Sequence, residues 1–217
     1  MNEKEKAKII IKILNKIYPK TPVPLKSKNT FTLLISVILS AQCTDLTVNN
    51  VTKNIYLKYY KPEHFVKLGR KKIEKLIKKI GIFRIKAKSI YLMSKQILEK
   101  HNGKVPKTFE ELEKLPGVGH KTASVVMSQG FGYPAFAVDT HIHRLAQRWG
   151  LTNGKSVVQT EKDLKRIFPK IVWSKLHLQI IFYGREYCKA RDCYGLTCKI
   201  CSTCYPNRKK PVITKKA

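Results

Sequence analysis

Leu115-Pro-Gly-Val-Gly-His-Lys-Thr-Ala123 is the stretch on which the fold turns. Pro116 and Gly117 break any helix arriving from upstream, and Gly119 leaves the main chain bare where the next helix must begin. Such glycines let a backbone approach a ligand closely, and the N–H groups that open the following helix favour an anion. Upstream, Thr108 and Glu111 are spaced as a capping box, so a helix should start near Phe109 and run to Leu115. Downstream, Thr122, Val125, Val126 and Met127 predict a second helix lasting until Gly130. The unit is then either a phosphate-binding hairpin or an ordinary turn between two helices.

The helical period continues on both sides of this hairpin. Ile9, Ile10, Ile13, Leu14 and Ile17 share one face of an N-terminal helix, which Pro19 and the Pro22–Pro24 segment end. Phe31 to Ala41 is apolar nearly all round, as a helix buried in the centre should be. Ile73, Leu76, Ile77 and Ile80 recur at i, i+3, i+4 and i+7 with lysines opposite, until Gly81 stops the helix. Ile90 to Lys100 repeats the pattern and ends near Asn102 and Gly103, and Asp139 precedes a helix from Ile142 to Trp149 that Gly150 ends. No stretch alternates as a strand would, so the expected fold is all-α. Beyond Cys204 the tail is basic and contains proline, a composition expected to be disordered.

Charge narrows the partner. The chain has 44 Lys and Arg against 14 Asp and Glu, a net +30, with 43% hydrophobic residues and therefore a real core. A field of that sign attracts polyanions, and nucleic acid leads because phosphate neutralisation with counterion release drives non-specific binding. No apolar leader with a cleavage site follows Met1, and Phe31 to Leu39 is far too short to span a bilayer, so a soluble protein of the cytoplasm is expected. Five of six cysteines crowd between Cys188 and Cys204, which in a reducing compartment suggests metal before disulfide. Cys43 reads as a small buried apolar residue.

Together with Ala137-Val-Asp-Thr-His-Ile-His-Arg144 and Leu39-Ser-Ala-Gln-Cys-Thr-Asp45, the hairpin resembles the helix-hairpin-helix DNA glycosylases and, within that superfamily, the endonuclease III family. The resemblance runs from the Phe31 helix to Cys204. It implies a six-helix lobe over residues 23–133 and a second lobe made of 1–22 plus 134–217, with a Cys-rich metal-binding loop. It implies a monomeric base-excision-repair enzyme that removes oxidised pyrimidines from double-stranded DNA and cleaves the abasic site by β-elimination. Lys121 falls where the family has its catalytic lysine, and Asp139, 18 residues later, on its catalytic aspartate. The chemistry asks for these types: a neutral amine attacks C1′ and expels the base, and a carboxylate steadies the developing positive charge. Gln42 matches the glutamine that enters the space left by an everted base, and Ile82 the apolar wedge in the opposite strand. Gly117, Val118 and Gly119 would hold a DNA phosphate, with His141 a further contact.

The cysteines leave more open. The family holds a [4Fe-4S] cluster on C-x6-C-x2-C-x5-C, and here the end-to-end span survives while the inner spacing differs. Cys188, Cys198, Cys201 and Cys204 are preferred as ligands because they keep a C-x2-C pair; taking Cys193 and Cys198 as the inner pair is the alternative. A zinc site built from four cysteines is the main rival, and loss of any metal a third reading. Three other functions compete: an adenine glycosylase, which lacks a lysine after the hairpin; a non-catalytic helix-hairpin-helix DNA-binding module, which leaves Lys121 and Asp139 unexplained; and a zinc-stabilised structural DNA-binding protein, which predicts zinc and no iron absorption.

Overall fold

The computed structural model describes residues 1–217 and contains helices only. In chain order these are α1 (Glu3–Ile17), α2 (Thr30–Ser40), α3 (Asp45–Lys58), α4 (Pro62–Leu76), α5 (Phe83–His101), α6 (Phe109–Glu113), α7 (His120–Phe131), α8 (Thr140–Arg148), α9 (Val157–Ile167), α10 (Trp173–Glu186) and α11 (Lys199–Cys204), with a 3-10 turn at Lys170–Val172. The all-α expectation therefore holds. The chain divides into two compact units, a continuous one over Val23–Tyr133 and a discontinuous one combining Met1–Pro22 with Pro134–Ala217. No helix is long and apolar enough to cross a membrane.

The continuous unit is built round α2, whose residues from Phe31 to Leu39 are all buried. The polar side chains of α2 are satisfied: the Ser36 hydroxyl lies 2.8 Å from that of Tyr56, which donates to the Thr32 carbonyl at 3.0 Å. Asn29 caps the helix by accepting from Thr32 N at 2.9 Å. At the far end of α7, a Cβ on Gly130 would stand 2.9 Å from Thr30, so Gly130 serves close packing against α2. The second hairpin helix consequently runs past Gly130 and ends at Gly132, whose φ of 68° forms the left-handed cap.

Two other boundaries also differ from the sequence reading. α4 gives out at Leu76, and Ile80 reaches the core by a turn, its N–H donating to the Ile77 carbonyl at 2.8 Å. Leu76 is 39% exposed while Ile73, Ile77 and Ile80 are buried, because the apolar stripe bends with the chain once the helix stops. α6 ends at Glu113 and the chain tightens through turns, Leu115 N to Leu112 O and Val118 N to Leu115 O, each 3.0 Å.

In the discontinuous unit Ile10 and Leu14 of α1 pack with Phe136, Ile142, Leu145, Trp149, Leu164 and Tyr183 in a second core that continues into the cysteines. The basic tail is ordered here, contrary to expectation. Val212 N donates to Tyr194 O at 2.8 Å, Lys215 N to the Gln147 side chain at 2.8 Å, and Arg208 to the Arg148 and Gly195 carbonyls. Composition argued for disorder, yet the Gln147 side chain of α8 and the Tyr194 carbonyl of the cysteine loop supply the partners that a free tail's backbone would take from water.

Candidate functional sites

The hairpin begins with a cap. Thr108 accepts from Glu111 N at 3.3 Å, and its hydroxyl donates to the Glu111 carboxylate at 3.0 Å. Gly117 is forced: its φ is 81°, and a Cβ there would lie 2.7 Å from Ser89 Cβ on α5. Gly119 is the N-cap of α7 without a side-chain bond to the first turn, and open space lies where its Cβ would be. The first N–H groups of α7 thus have no side-chain cap at an exposed glycine, the arrangement that receives an oxyanion. Val118 is buried, so its side chain belongs to the core and only its backbone stays near the turn. Lys121 is exposed in the first turn of α7, while His120 beside it stacks on Phe109 and lies 2.7 Å from Glu113 Oε1.

Gln42 and Ile82 share an unusual backbone. Both are non-glycine residues in the left-handed region, at φ 55° and 54°, a conformation that costs an L residue about 1–2 kcal/mol. They sit on adjoining loops, since a Cβ on Gly81 would be 3.9 Å from Gln42 O. Gln42 lies beyond the end of α2 and is exposed; Ile82 is the N-cap of α5 and is 49% exposed. Ile82 is therefore outside the cluster that buries Ile80. Strain of this kind is retained where surrounding structure holds it.

Lys86 does the holding, and sequence reading missed it among 44 basic residues. It is 5% exposed, and its Nζ donates to Leu39 O at 2.9 Å and Ala41 O at 2.6 Å, the free carbonyls at the end of α2. Burial lowers its pKa from the ordinary lysine value. Ile82, Lys86 and Ser89 follow at i, i+4 and i+7, so one face of α5 carries the exposed isoleucine, the bond to the Gln42 loop and the seat of the Gly117 turn.

In the discontinuous unit Asp139 caps α8, its Oδ1 accepting from Ile142 N at 2.8 Å, and the residue is half-buried. His141, in the first turn of α8, lies against α10, where a Cβ on Gly184 would approach its Nδ1 to 3.2 Å. His143 is buried with Nδ1 2.8 Å from the Thr160 hydroxyl, and burial lowers its pKa. It is a packing residue.

The thiols of Cys188, Cys193, Cys198 and Cys201 converge, all four sulfurs lying within 4.8 Å of one another and all four residues buried. Of the set preferred from spacing, Cys188, Cys198 and Cys201 are present; Cys193 completes the group and Cys204 is not in it. Cys204 closes α11 three residues beyond Cys201, and it packs in the core that includes α1. Two arginines of α8 clamp the loop: Arg148 donates to Lys189 O at 2.7 Å and Ala190 O at 2.8 Å, Arg144 to Gly184 O and Cys188 O at 3.0 Å. In ligand type and number the thiols fit iron–sulfur binding and zinc alike. Cys43, half-buried, stands apart.

Known proteins resemble the chain along most of its length. Residues 35–170 match the model of the HhH-GPD superfamily base excision DNA repair proteins. Endonuclease III of Bacillus subtilis (strain 168) is 45% identical over 195 residues, covering 89% of each chain. That of Escherichia coli (strain K12) is 40% identical, covering 83% of this chain and 87% of the relative. Among solved structures, a trapped endonuclease III–DNA covalent intermediate matches with a TM-score of 0.87 at 42% identity, over 92% of this chain and 94% of that one. A thermostable thymine-DNA glycosylase, 21% identical, shares the fold with a TM-score of 0.78 over 90% of this chain and 94% of that one.

Proposed function

The chain belongs to the endonuclease III family of the HhH-GPD base excision DNA repair superfamily, and on that premise we propose that it excises oxidised pyrimidines through a Schiff base on Lys121. It is a DNA glycosylase and AP lyase acting on damaged DNA. Substrate class and nucleophile are what the proposal adds. The carrying observation is the covalent DNA intermediate of a 42% identical relative, which requires a nucleophile. In this chain an exposed lysine stands in the first turn of α7, directly after a glycine turn fit for phosphate.

The Lys121 amine, once deprotonated, attacks C1′ of the everted nucleotide; the C1′–N bond breaks and its electron pair leaves with the base. Transfer of the remaining amine proton to O4′ breaks the C1′–O4′ bond and opens the sugar to the imine; this acidifies C2′–H, and loss of that proton forms the C2′–C3′ double bond and expels the 3′ phosphate. Asp139, oriented by its bond from Ile142 N, supplies the negative charge that favours the sugar's developing cation. Gln42 and Ile82, on adjoining strained loops, fill the gap left in the stack, while the backbone of Gly117 to Gly119 grips phosphate, with His141 as a further contact. The metal loop is structural, presenting exposed Lys189, Arg191 and Lys199 toward DNA phosphate. The reaction would run in the cytoplasm, on the cell's own DNA.

Incubation with duplex containing thymine glycol plus borohydride tests this. The wild-type chain should become covalently attached through Lys121, and Lys121→Gln should lose cleavage by at least about a thousandfold while duplex binding stays largely intact. Full lyase activity in that variant would overturn the assignment. A non-catalytic binding module would give no adduct with either chain.

A further inference from the structure

The geometry points to a single zinc ion in the cysteine nest, in place of the four-iron cluster that the family resemblance implies. Ligand type admits both metals, but size separates them. A tetrahedral zinc with bonds of about 2.3 Å holds its sulfurs about 3.8 Å apart. A four-iron cube gives each thiolate its own iron, so the sulfurs stand roughly 6 Å apart around a core of irons and sulfides. Here all four sulfurs lie within 4.8 Å of one another, and those of Cys193 and Cys201 are 3.9 Å apart. Every pair would have to part by more than about 1 Å to admit the cube.

The walls oppose such an opening. Tyr183, fully buried, accepts from Ile200 N at 3.1 Å, and Arg148 pins the other end through Lys189 O and Ala190 O. Close-packed interiors do not yield that much room without losing contacts on every side. Cys198 N donates to Cys193 Sγ at 3.5 Å and Arg148 to Cys188 Sγ at 3.4 Å, two further bonds that fix sulfurs in the small nest.

Spacing agrees independently. Cys188 and Cys193 form C-x4-C, Cys198 and Cys201 form C-x2-C, and both lie in the range that zinc pairs use. Where a six-residue spacing from Cys188 would put a cluster ligand, the chain has Gly195 at φ 83°. A Cβ there would lie 2.8 Å from Val212 and 3.0 Å from Arg208, so no cysteine could replace it without disturbing the tail. The ordered tail and the altered ligand set thus go together.

Metal analysis of the purified full chain tests the inference separately from the catalytic reading, which borohydride trapping addresses. The expected result is one zinc per chain, no iron, and no broad absorption near about 400 nm, unchanged after anaerobic incubation with ferrous iron and sulfide. Cys204→Ser should keep its zinc, and Cys193→Ser should lose it. Iron and sulfide in equal amounts, no bound metal, or loss of zinc in Cys204→Ser would each overturn the proposal, the last even if Cys193→Ser fails to fold.

Discussion

Asp139 caps a helix and is also the candidate carboxylate, and one substitution separates the two roles. Asparagine caps about as well as aspartate, so Asp139→Asn should leave the melting temperature nearly unchanged. Loss of the charge should lower thymine-glycol excision by at least about a hundredfold. Unchanged excision would leave the residue as a cap alone. His143 offers a second measurement. Burial lowers its folded pKa below the free value of 6.5, so the unfolded chain takes up the proton first as pH falls. The stability present at neutral pH is therefore lost progressively below that value. Thermal midpoints between about pH 7 and 5 should fall less steeply for His143→Asn than for the wild type; parallel curves would assign the acid sensitivity to other groups.

Helix α5 joins three features that lie far apart in sequence. Its N-cap presents Ile82, Lys86 one turn on holds the end of α2 below Gln42, and Ser89 bears the Gly117 turn. Lys86→Met keeps length and apolar stem but strips the Leu39 and Ala41 carbonyls of their donor, a loss of about 1–3 kcal/mol. The variant should melt lower and bind abasic duplex more weakly, because both strained loops loosen together. Lys88→Met, at an exposed position of the same helix, is the control and should change neither. A lower melting temperature with unaltered duplex affinity would confine Lys86 to the fold.

Across the molecule, a net charge of +30 makes DNA affinity depend steeply on salt. The exposed Lys78 and Lys79 immediately precede the turn that presents Ile82. If that face meets the duplex, replacing both with alanine should reduce the slope of log affinity against log salt by about 2. An unchanged slope would put them on a free surface. The comparison needs duplex without damage, so that phosphate contacts alone are read.

Much of this was legible in the chain before any fold was known. Helical period, the Thr108 cap, the Gly117 turn and the Asp139 cap depend on residues within about four positions of each other, and such contacts are written directly into the order of side chains. The grouped motifs also pointed to the family and to Lys121. What spacing could not supply was convergence between segments. Cys193 in place of Cys204, the burial of Lys86, the exposure of Leu76 and the ordered tail all follow from how helices pack and where loops bend back. Distance along a chain sets which groups can meet locally; which groups do meet across elements is settled by packing, and with it the size of the metal nest.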